Sequence, residues 1–376
     1  MHELVAVVAR GSDAFVAALQ RAWDAGDAVL PLDPRLPPPA SAALIRAMAP
    51  AAVVDPRDGE RRSLPGGLPV EAGDALVVAT SGTTGSPRGA VLTHAAVEAS
   101  ARATSDRLGV DPHADRWLAC LPLAHVGGLS VVTRALHTGT PVTMLERPDP
   151  AAVEAAGRTG GATLVSLVAT ALARTDTSSF RAVVLGGAAP PPSLPANVHT
   201  TWGMTETGSG VVYDRRPLEG VALRVQAGEL HVRGPMLARS YRDGRPTVDG
   251  EGWLRTGDAA SIDDAGLLHV VGRIGDVIVT GGEKVWPDPV EAVLRGVTGV
   301  GEVAVAGRPD PEWGSAVVAW VVPADPAAPP SLEALRTAVK EALAPWAAPR
   351  RLVVVDSLPR TTLGKVQRHR LPDPRD

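Results

Sequence analysis

Apolar positions along the chain fall into short runs separated by amphipathic stretches. Runs at 76–80, 117–121, 142–145, 163–168 and 182–185 read as buried strands, and the stretches near 129–137, 150–158 and 168–175 read as helices. That alternation predicts an α/β layer with crossovers. Thr93 is placed to cap a helix running to about 107, so the run at 76–80 is expected to be followed by a loop and then that helix. Residues 1–70 are rich in Ala and Pro, with a helix around 14–25, a Pro-rich passage at 31–39 and no chemical motif. From 221 to 271 the pattern changes to short alternating segments with Gly turns, predicting a small antiparallel sheet or barrel that closes the first lobe. Beyond 275 come helices near 289–295 and 332–343 and strands near 303–306, 317–322 and 352–355. Ser331 caps the second helix, whose apolar stripe is Leu332, Leu335, Val339 and Leu343. The expected architecture is a large N-terminal α/β domain with a small β-subdomain, residues 1–274, and a smaller, mobile α+β C-terminal domain, residues 275–376.

Composition narrows the partners. The chain has 376 residues, 45% of them apolar, and a net charge of −4, which gives no basic field for nucleic acid and suits a small-molecule substrate. Its longest apolar runs fall far short of the roughly 20 residues that cross a bilayer, so no stable membrane insertion is expected. The first ten residues lack a basic start, and Cys120 is the only cysteine, which together suggest a cytoplasmic protein. Homo-oligomerisation is left open. Of 37 basic residues only Lys284, Lys340 and Lys365 are lysines. A lysine kept under that bias is a candidate for a task that needs a compact ammonium.

The densest chemistry is Thr80-Ser81-Gly82-Thr83-Thr84-Gly85-Ser86-Pro87-Arg88, an apolar strand ending in hydroxyls and glycines that can cradle phosphate. A P-loop would need Lys and Ser or Thr where Pro87 and Arg88 stand. Further strings follow in order: Leu121 through Arg134 with His125 near its start, Gly186-Gly187-Ala188, Trp202-Gly203-Met204-Thr205-Glu206, Gly257-Asp258 followed by Arg273, Gly281-Gly282-Glu283-Lys284, and Pro359 through Arg368 around Lys365. Singly these are weak signals, since the Trp202 string could start a capped helix and the Gly186 and Asp258 strings could be turns.

Taken together, from about residue 76 to 371, they resemble the ordered motifs of the adenylate-forming enzymes: acyl- and aryl-CoA ligases, luciferases and peptide-synthetase adenylation domains. The resemblance implies that Thr80, Ser81, Gly82, Thr83, Thr84, Gly85 and Arg88 grip the β- and γ-phosphates of ATP, with Arg88 where that family usually has Lys. It implies adenine against Gly186, Gly187, Ala188, Trp202 and Gly203, the α-phosphate on Thr205, Mg²⁺ on Glu206, and ribose on Asp258 and Arg273. Gly275 becomes the hinge, Gly281, Gly282 and Lys284 line the coenzyme A tunnel, and Lys365 is the catalytic lysine. His125 stands at the entrance of the carboxylate pocket, with Ser130 and Arg134 set to meet a second carboxylate. The segment around His125 and the short chain, truncated at its N-terminus, look most like the o-succinylbenzoate–CoA ligases of menaquinone synthesis. Other aryl- or acyl-CoA ligases, carrier-protein-loading adenylation enzymes and a non-catalytic nucleotide-binding regulator are the alternatives. Because the whole chain favours Arg, Arg88 is expected to matter for its charge alone.

Overall fold

The computed structural model describes residues 2–80, 87–146, 148–191, 193–360 and 366–374. Its contacts divide the chain into two compact units: 1–223 with 231–255, and 224–230 with 256–376. The chain therefore crosses between units within the stretch of short strands, and the second unit begins before the boundary expected at 274/275.

In the first unit the passage without motifs turns out to be sheet. His2–Val8 lies parallel between Ala28–Leu32 and Ala52–Val54, in register Leu4↔Ala28 and Val5↔Ala52. Its near-continuous apolar run suits a strand covered on both faces. Phe15 and Leu19, fully buried on the helix Asp13–Asp24, cover one of them. Pro31 argues against a central strand because its ring removes a ladder donor. The strand tolerates it because Ala28–Leu32 meets its other neighbour, Asp74–Thr80, only at Val29↔Leu76. The prolines that follow start the helix Pro38–Met48, where a missing N–H costs nothing.

The phosphate-loop region also differs from expectation. Asp74–Thr80 is followed first by a second strand, Arg88–Thr93, which runs back antiparallel to it in register Leu76↔Leu92 and Thr80↔Arg88. Only then does the helix His94–Leu108 begin, capped by the Thr93 hydroxyl, which accepts from the Ala96 N–H at 3.1 Å. Ser240–Tyr241 adds an edge strand beside Arg88–Thr93, pairing Tyr241 with Ala90.

A seven-stranded sheet makes the rest of this unit. Its order is Arg216–Pro217, Gly210–Tyr213, Val198–Gly203, Ala182–Gly186, Leu164–Val168, Trp117–Ala119, Val142–Met144, and the last five are parallel to one another. The strand Val198–Gly203 has no counterpart among the expected elements, and the helix expected at 168–175 is one turn, Ala169–Leu172. Trp117, Tyr213, Leu129 and Val132 share one buried cluster that fixes the helix Val126–Thr138 against the sheet.

In the second unit the strands Val300–Asp310, Gly314–Pro323 and Arg351–Val354 form a sheet. The helices Pro287–Leu294 and Leu332–Ala342 pack on one face through Val290, Leu294, Leu335 and Val339. Ser331 caps the second helix as expected. Arg368 is a hub within this unit: it donates to Asp276 at 3.0 Å, Asp288 at 2.5 Å, Glu291 at 2.8 Å and the Val305 carbonyl at 3.0 Å. Burial raises the pKa of Glu291, and Arg368 only partly counters it. Arg368→Met would leave that carboxyl buried without its cation and should lower the unfolding free energy by about 3–5 kcal/mol. Arg295→Met, which removes a half-exposed partner of the same group, should cost less than about 1 kcal/mol. Urea denaturation compares the two, and equal losses would contradict the hub assignment.

Candidate active site

Ser81, Gly82, Thr83, Thr84 and Gly85 lie outside the described residues, but the posts of their loop are described: Thr80 and Arg88 face each other across the strand pair. The Arg88 guanidinium carbon lies 5.9 Å from the centre of the Tyr241 ring, and the Tyr241 hydroxyl donates to Glu206 Oε1 at 2.9 Å. Burial and the Glu206 charge push the tyrosine pKa well up. Glu206 is only 6% exposed and sits in the one-turn 3-10 helix Thr205–Thr207, its carbonyl accepting from the Ala238 N–H at 2.8 Å. Nothing in the sequence singles out Tyr241, because only the edge-strand pairing carries it there.

Trp202 and Gly203 end the strand Val198–Gly203 rather than start a helix. A Cβ on Gly203 would fall 2.1 Å from the Ser209 carbonyl oxygen, so the close approach of two backbones requires glycine. Beside it, a Cβ on Gly186 would meet the Thr201 hydroxyl at 2.8 Å, Gly187 has φ +87°, and Ala188 is exposed. The Gly186, Trp202 and Glu206 strings thus gather at the C-terminal ends of neighbouring parallel strands, where open α/β sheets bind ligands.

His125 occupies the N-cap position of Val126–Thr138. The helix start can press against Leu121 and Pro122 because Gly128 has no side chain: its Cβ would stand 2.5 Å from both carbonyl oxygens. His125 Nε2 lies 3.8 Å from Asp33 Oδ2, and Asp33 is gripped by Arg35 through two bonds of 2.9 and 2.7 Å. Burial pushes the Asp33 carboxyl up, but the Arg35 bonds and charge more than offset it and hold it low. Burial lowers the pKa of His125, with Asp33 opposing, so the ring is neutral at neutral pH. Asp33 and Arg35 belong to the first 70 residues. Their only sequence signal is the string Leu-Asp-Pro-Arg after an apolar run.

Further along the same helix, Ser130 and Arg134 lie on one face. Arg134 is 2% exposed, stacks 5.4 Å from the Trp117 ring, donates to the Ser209 hydroxyl at 2.5 Å and reaches Tyr213 Oη at 3.5 Å. The Ser209 hydroxyl in turn donates to that of Ser130 at 3.2 Å. Among the described residues no carboxylate pairs with Arg134, and its buried Nε and Nη1 have no hydrogen-bond partner.

In the second unit Asp258 and Arg273 come together as an ion pair, Nε to Oδ1 2.9 Å, on facing strands Leu254–Ile262 and Leu268–Arg273. Gly281 and Gly282, at φ +58° and +87°, form the turn of the hairpin Ile278–Thr280 and Glu283–Val285, and a Cβ on Gly281 would strike the Trp313 ring at 2.8 Å. Backbone geometry alone accounts for this pair of glycines. Lys284 is exposed on that hairpin. Lys365 lies outside the described residues. Its neighbours Arg360 and Val366 form a bridge, and the Gln367 N–H donates to the Pro359 carbonyl at 2.8 Å.

Among the described residues there is no group of three or more His, Cys, Asp or Glu able to hold a metal, and no helix is long and apolar enough to cross a membrane. Burial depresses the pKa of His125, His94 and His137 below the usual 6.5. Below about pH 6.5 the unfolded chain gains protons that these rings in the folded state do not, so their contribution to stability falls as pH falls. The thermal midpoint of the protein should therefore drop between pH 7 and pH 5.5, and drop less in His137→Gln. An identical drop in the variant would show that His137 is not responsible.

Residues 57–242 match the family model "AMP-binding enzyme", and residues 289–365 match "AMP-binding enzyme C-terminal domain". A "Probable 2-succinylbenzoate–CoA ligase" of Mycobacterium tuberculosis is 43% identical over 321 residues, which cover 78% of this chain and 82% of that protein. The fold is similar to that of the o-succinylbenzoate CoA synthetase of Bacillus subtilis in complex with its acyl-adenylate intermediate, with TM-score 0.88 and 27% identity over 99% of this chain and 88% of the other. The same synthetase with ATP and magnesium superposes with TM-score 0.87 at 27% identity, over 99% of this chain and 89% of that one.

Proposed function

The chain belongs to the AMP-binding enzyme family, the adenylate-forming ligases, and on that premise we propose that it joins 2-succinylbenzoate to coenzyme A through an acyl-adenylate. A carboxylate oxygen of the acid attacks the α-phosphorus of ATP and pyrophosphate leaves. The thiol of coenzyme A then adds to the acyl carbon, AMP departs and the thiol proton passes to solvent. Activation works because AMP leaves far more readily than hydroxide.

The obstacle in the first step is repulsion between an anionic acid and a polyanionic nucleotide. Arg88 offsets charge on the β- and γ-phosphates, with Thr80 opposite it on the paired strand and the hydroxyls of Ser81, Thr83 and Thr84 as further donors. Glu206, a buried carboxylate next to Thr205, would hold a magnesium ion of the kind that needs only one protein carboxylate. When bound, magnesium supplies positive charge against the phosphates. Trp202 gives adenine a face to stack on, and Thr205 donates to the α-phosphate. Asp258 accepts from the ribose hydroxyls while Arg273 fixes its orientation. The neutral His125 ring at the entrance of the acid pocket can hydrogen-bond without adding charge. Lys365 stabilises the negative charge that develops between acid and α-phosphate. For the second step Gly275 serves as hinge, in the one-turn 3-10 helix Ile274–Asp276 with open space where a Cβ would stand, and the Gly281–Gly282 turn and Lys284 meet coenzyme A. The cytoplasm, where ATP and coenzyme A are at hand, suits a chain whose one thiol, Cys120, is buried.

The observation that carries the choice of acid is Arg134. A buried guanidinium with two nitrogens unpaired and no carboxylate beside it among the described residues is costly unless a ligand brings the anion, and a diacid can be activated at one carboxylate while the other meets Arg134, Ser130 and Ser209. ATP–pyrophosphate exchange should therefore be fastest with 2-succinylbenzoate among aromatic and fatty acids. Arg134→Gln should raise the KM for that acid about tenfold to a hundredfold, leave the KM for ATP near its starting value and narrow the preference over benzoate. Equal loss toward every acid would sink the assignment. Lys365→Ala should cut exchange by about 10²–10³-fold while sparing thioester formation from preformed acyl-adenylate. Parallel loss of both steps would show that Lys365 does not act on adenylation alone, and its proposed role would fall.

A further inference from the structure

Tyr241, one of two tyrosines in the chain, joins two groups that the ligase reading uses separately. Its ring faces the Arg88 guanidinium at 5.9 Å and its hydroxyl donates to Glu206 Oε1 at 2.9 Å. Its place is fixed by backbone pairing: Tyr241 opposes Ala90, two residues along the strand from Arg88, and the next N–H, of Arg242, donates to the Gly89 carbonyl at 2.7 Å. The Arg242 side chain then pins the edge strand by donating to the carbonyls of Met48, Pro69 and Leu68 at 3.0, 2.7 and 2.6 Å.

The arrangement solves an electrostatic problem. A cation for phosphate and a carboxylate for metal, set near each other and partly out of water, attract one another, and a direct ion pair would neutralise both. Among the described residues Glu206 makes no ion pair with any Arg or Lys; the tyrosine stands between. Its hydroxyl satisfies one carboxylate oxygen without bringing a positive charge, and its π-face holds the guanidinium without bringing a negative one. A planar guanidinium suits that face better than an ammonium does.

We infer that Tyr241 is a positioning residue for adenylation: its hydroxyl orients Glu206 for the metal–nucleotide complex, its ring seats Arg88, and it keeps those two charges apart. Arginine at position 88 is then matched to this ring, against the expectation that its charge alone matters. The inference rests on the ligase reading. In this role Tyr241 itself touches no substrate.

The test uses the full chain and calorimetric binding of a non-hydrolysable ATP analogue across a range of Mg²⁺ concentrations, with circular dichroism to establish that each variant folds. Tyr241→Phe keeps the ring and loses the hydroxyl. The Mg²⁺ concentration for half-maximal binding should rise about tenfold, with affinity at saturating Mg²⁺ close to that of the unaltered protein. Arg88→Lys should weaken analogue binding about threefold in the unaltered background, and should have no further effect in Tyr241→Ala, because the shared ring is gone. In turnover, Tyr241→Phe should shift the Mg²⁺ dependence and the KM for ATP but not the KM for the acid. Unchanged Mg²⁺ dependence in Tyr241→Phe, or an Arg88→Lys penalty that persists undiminished in Tyr241→Ala, would overturn the inference while leaving the ligase reading intact. Failure of the unaltered protein to bind the analogue at any Mg²⁺ concentration would overturn both.

Discussion

The antiparallel pairing of Asp74–Thr80 with Arg88–Thr93 is the constraint on which the candidate site depends. It closes the hydroxyl-rich loop at a defined neck, with Thr80 on one side and Arg88 on the other. It also offers an outer edge to Ser240–Tyr241, a segment about 150 residues further along the chain. Without that edge no local preference in the sequence would bring a tyrosine between Arg88 and Glu206. The same sheet continues inward to Ala28–Leu32, whose end delivers Asp33 toward His125.

The strings legible in the sequence are those whose chemistry is local. Gly186-Gly187, Trp202-Gly203 and Thr205-Glu206 are each adjacent in sequence, and parallel strand pairing then sets their ends side by side. Helices with a cap and an apolar stripe, such as His94–Leu108 and Leu332–Ala342, are also legible to within a residue or two. What escapes depends on distant partners. Pro31 masks a strand because its missing N–H looks disqualifying until its short pairing with the neighbouring strand is known. Arg88–Thr93 looks like a lead-in to the helix because only six residues separate Pro87 from His94. Asp33 and Tyr241 carry no signature of their own. The change from sheet-and-helix texture to short strands is visible near residue 221, but where the chain passes from one unit to the other depends on contacts and not on composition.

Charge placement distinguishes the parts of the molecule. Arg368 in the second unit meets three carboxylates and a carbonyl, an arrangement that satisfies itself. Asp33 with Arg35 and Asp258 with Arg273 are likewise complete pairs. Arg134 and Glu206 are different: each is buried, and among the described residues each is held by neutral groups, hydroxyls and a ring, rather than by an opposite charge. A full ion pair favours a fixed structure, whereas a charge held by neutral partners is stable enough to fold yet still able to take a counter-charge from a ligand.

Arg134 has a consequence for the life of the protein in the cell. A core whose buried cation meets no carboxylate among the described residues would be less stable empty than filled, so an acid bound there would act as a folding partner as well as a reactant. When that acid was scarce, a larger share of molecules would open and become available to proteases; when it was plentiful, the same population would be protected. On the proposed reading, the abundance of the protein would then follow the supply of that acid without any regulator of gene expression, through one buried guanidinium.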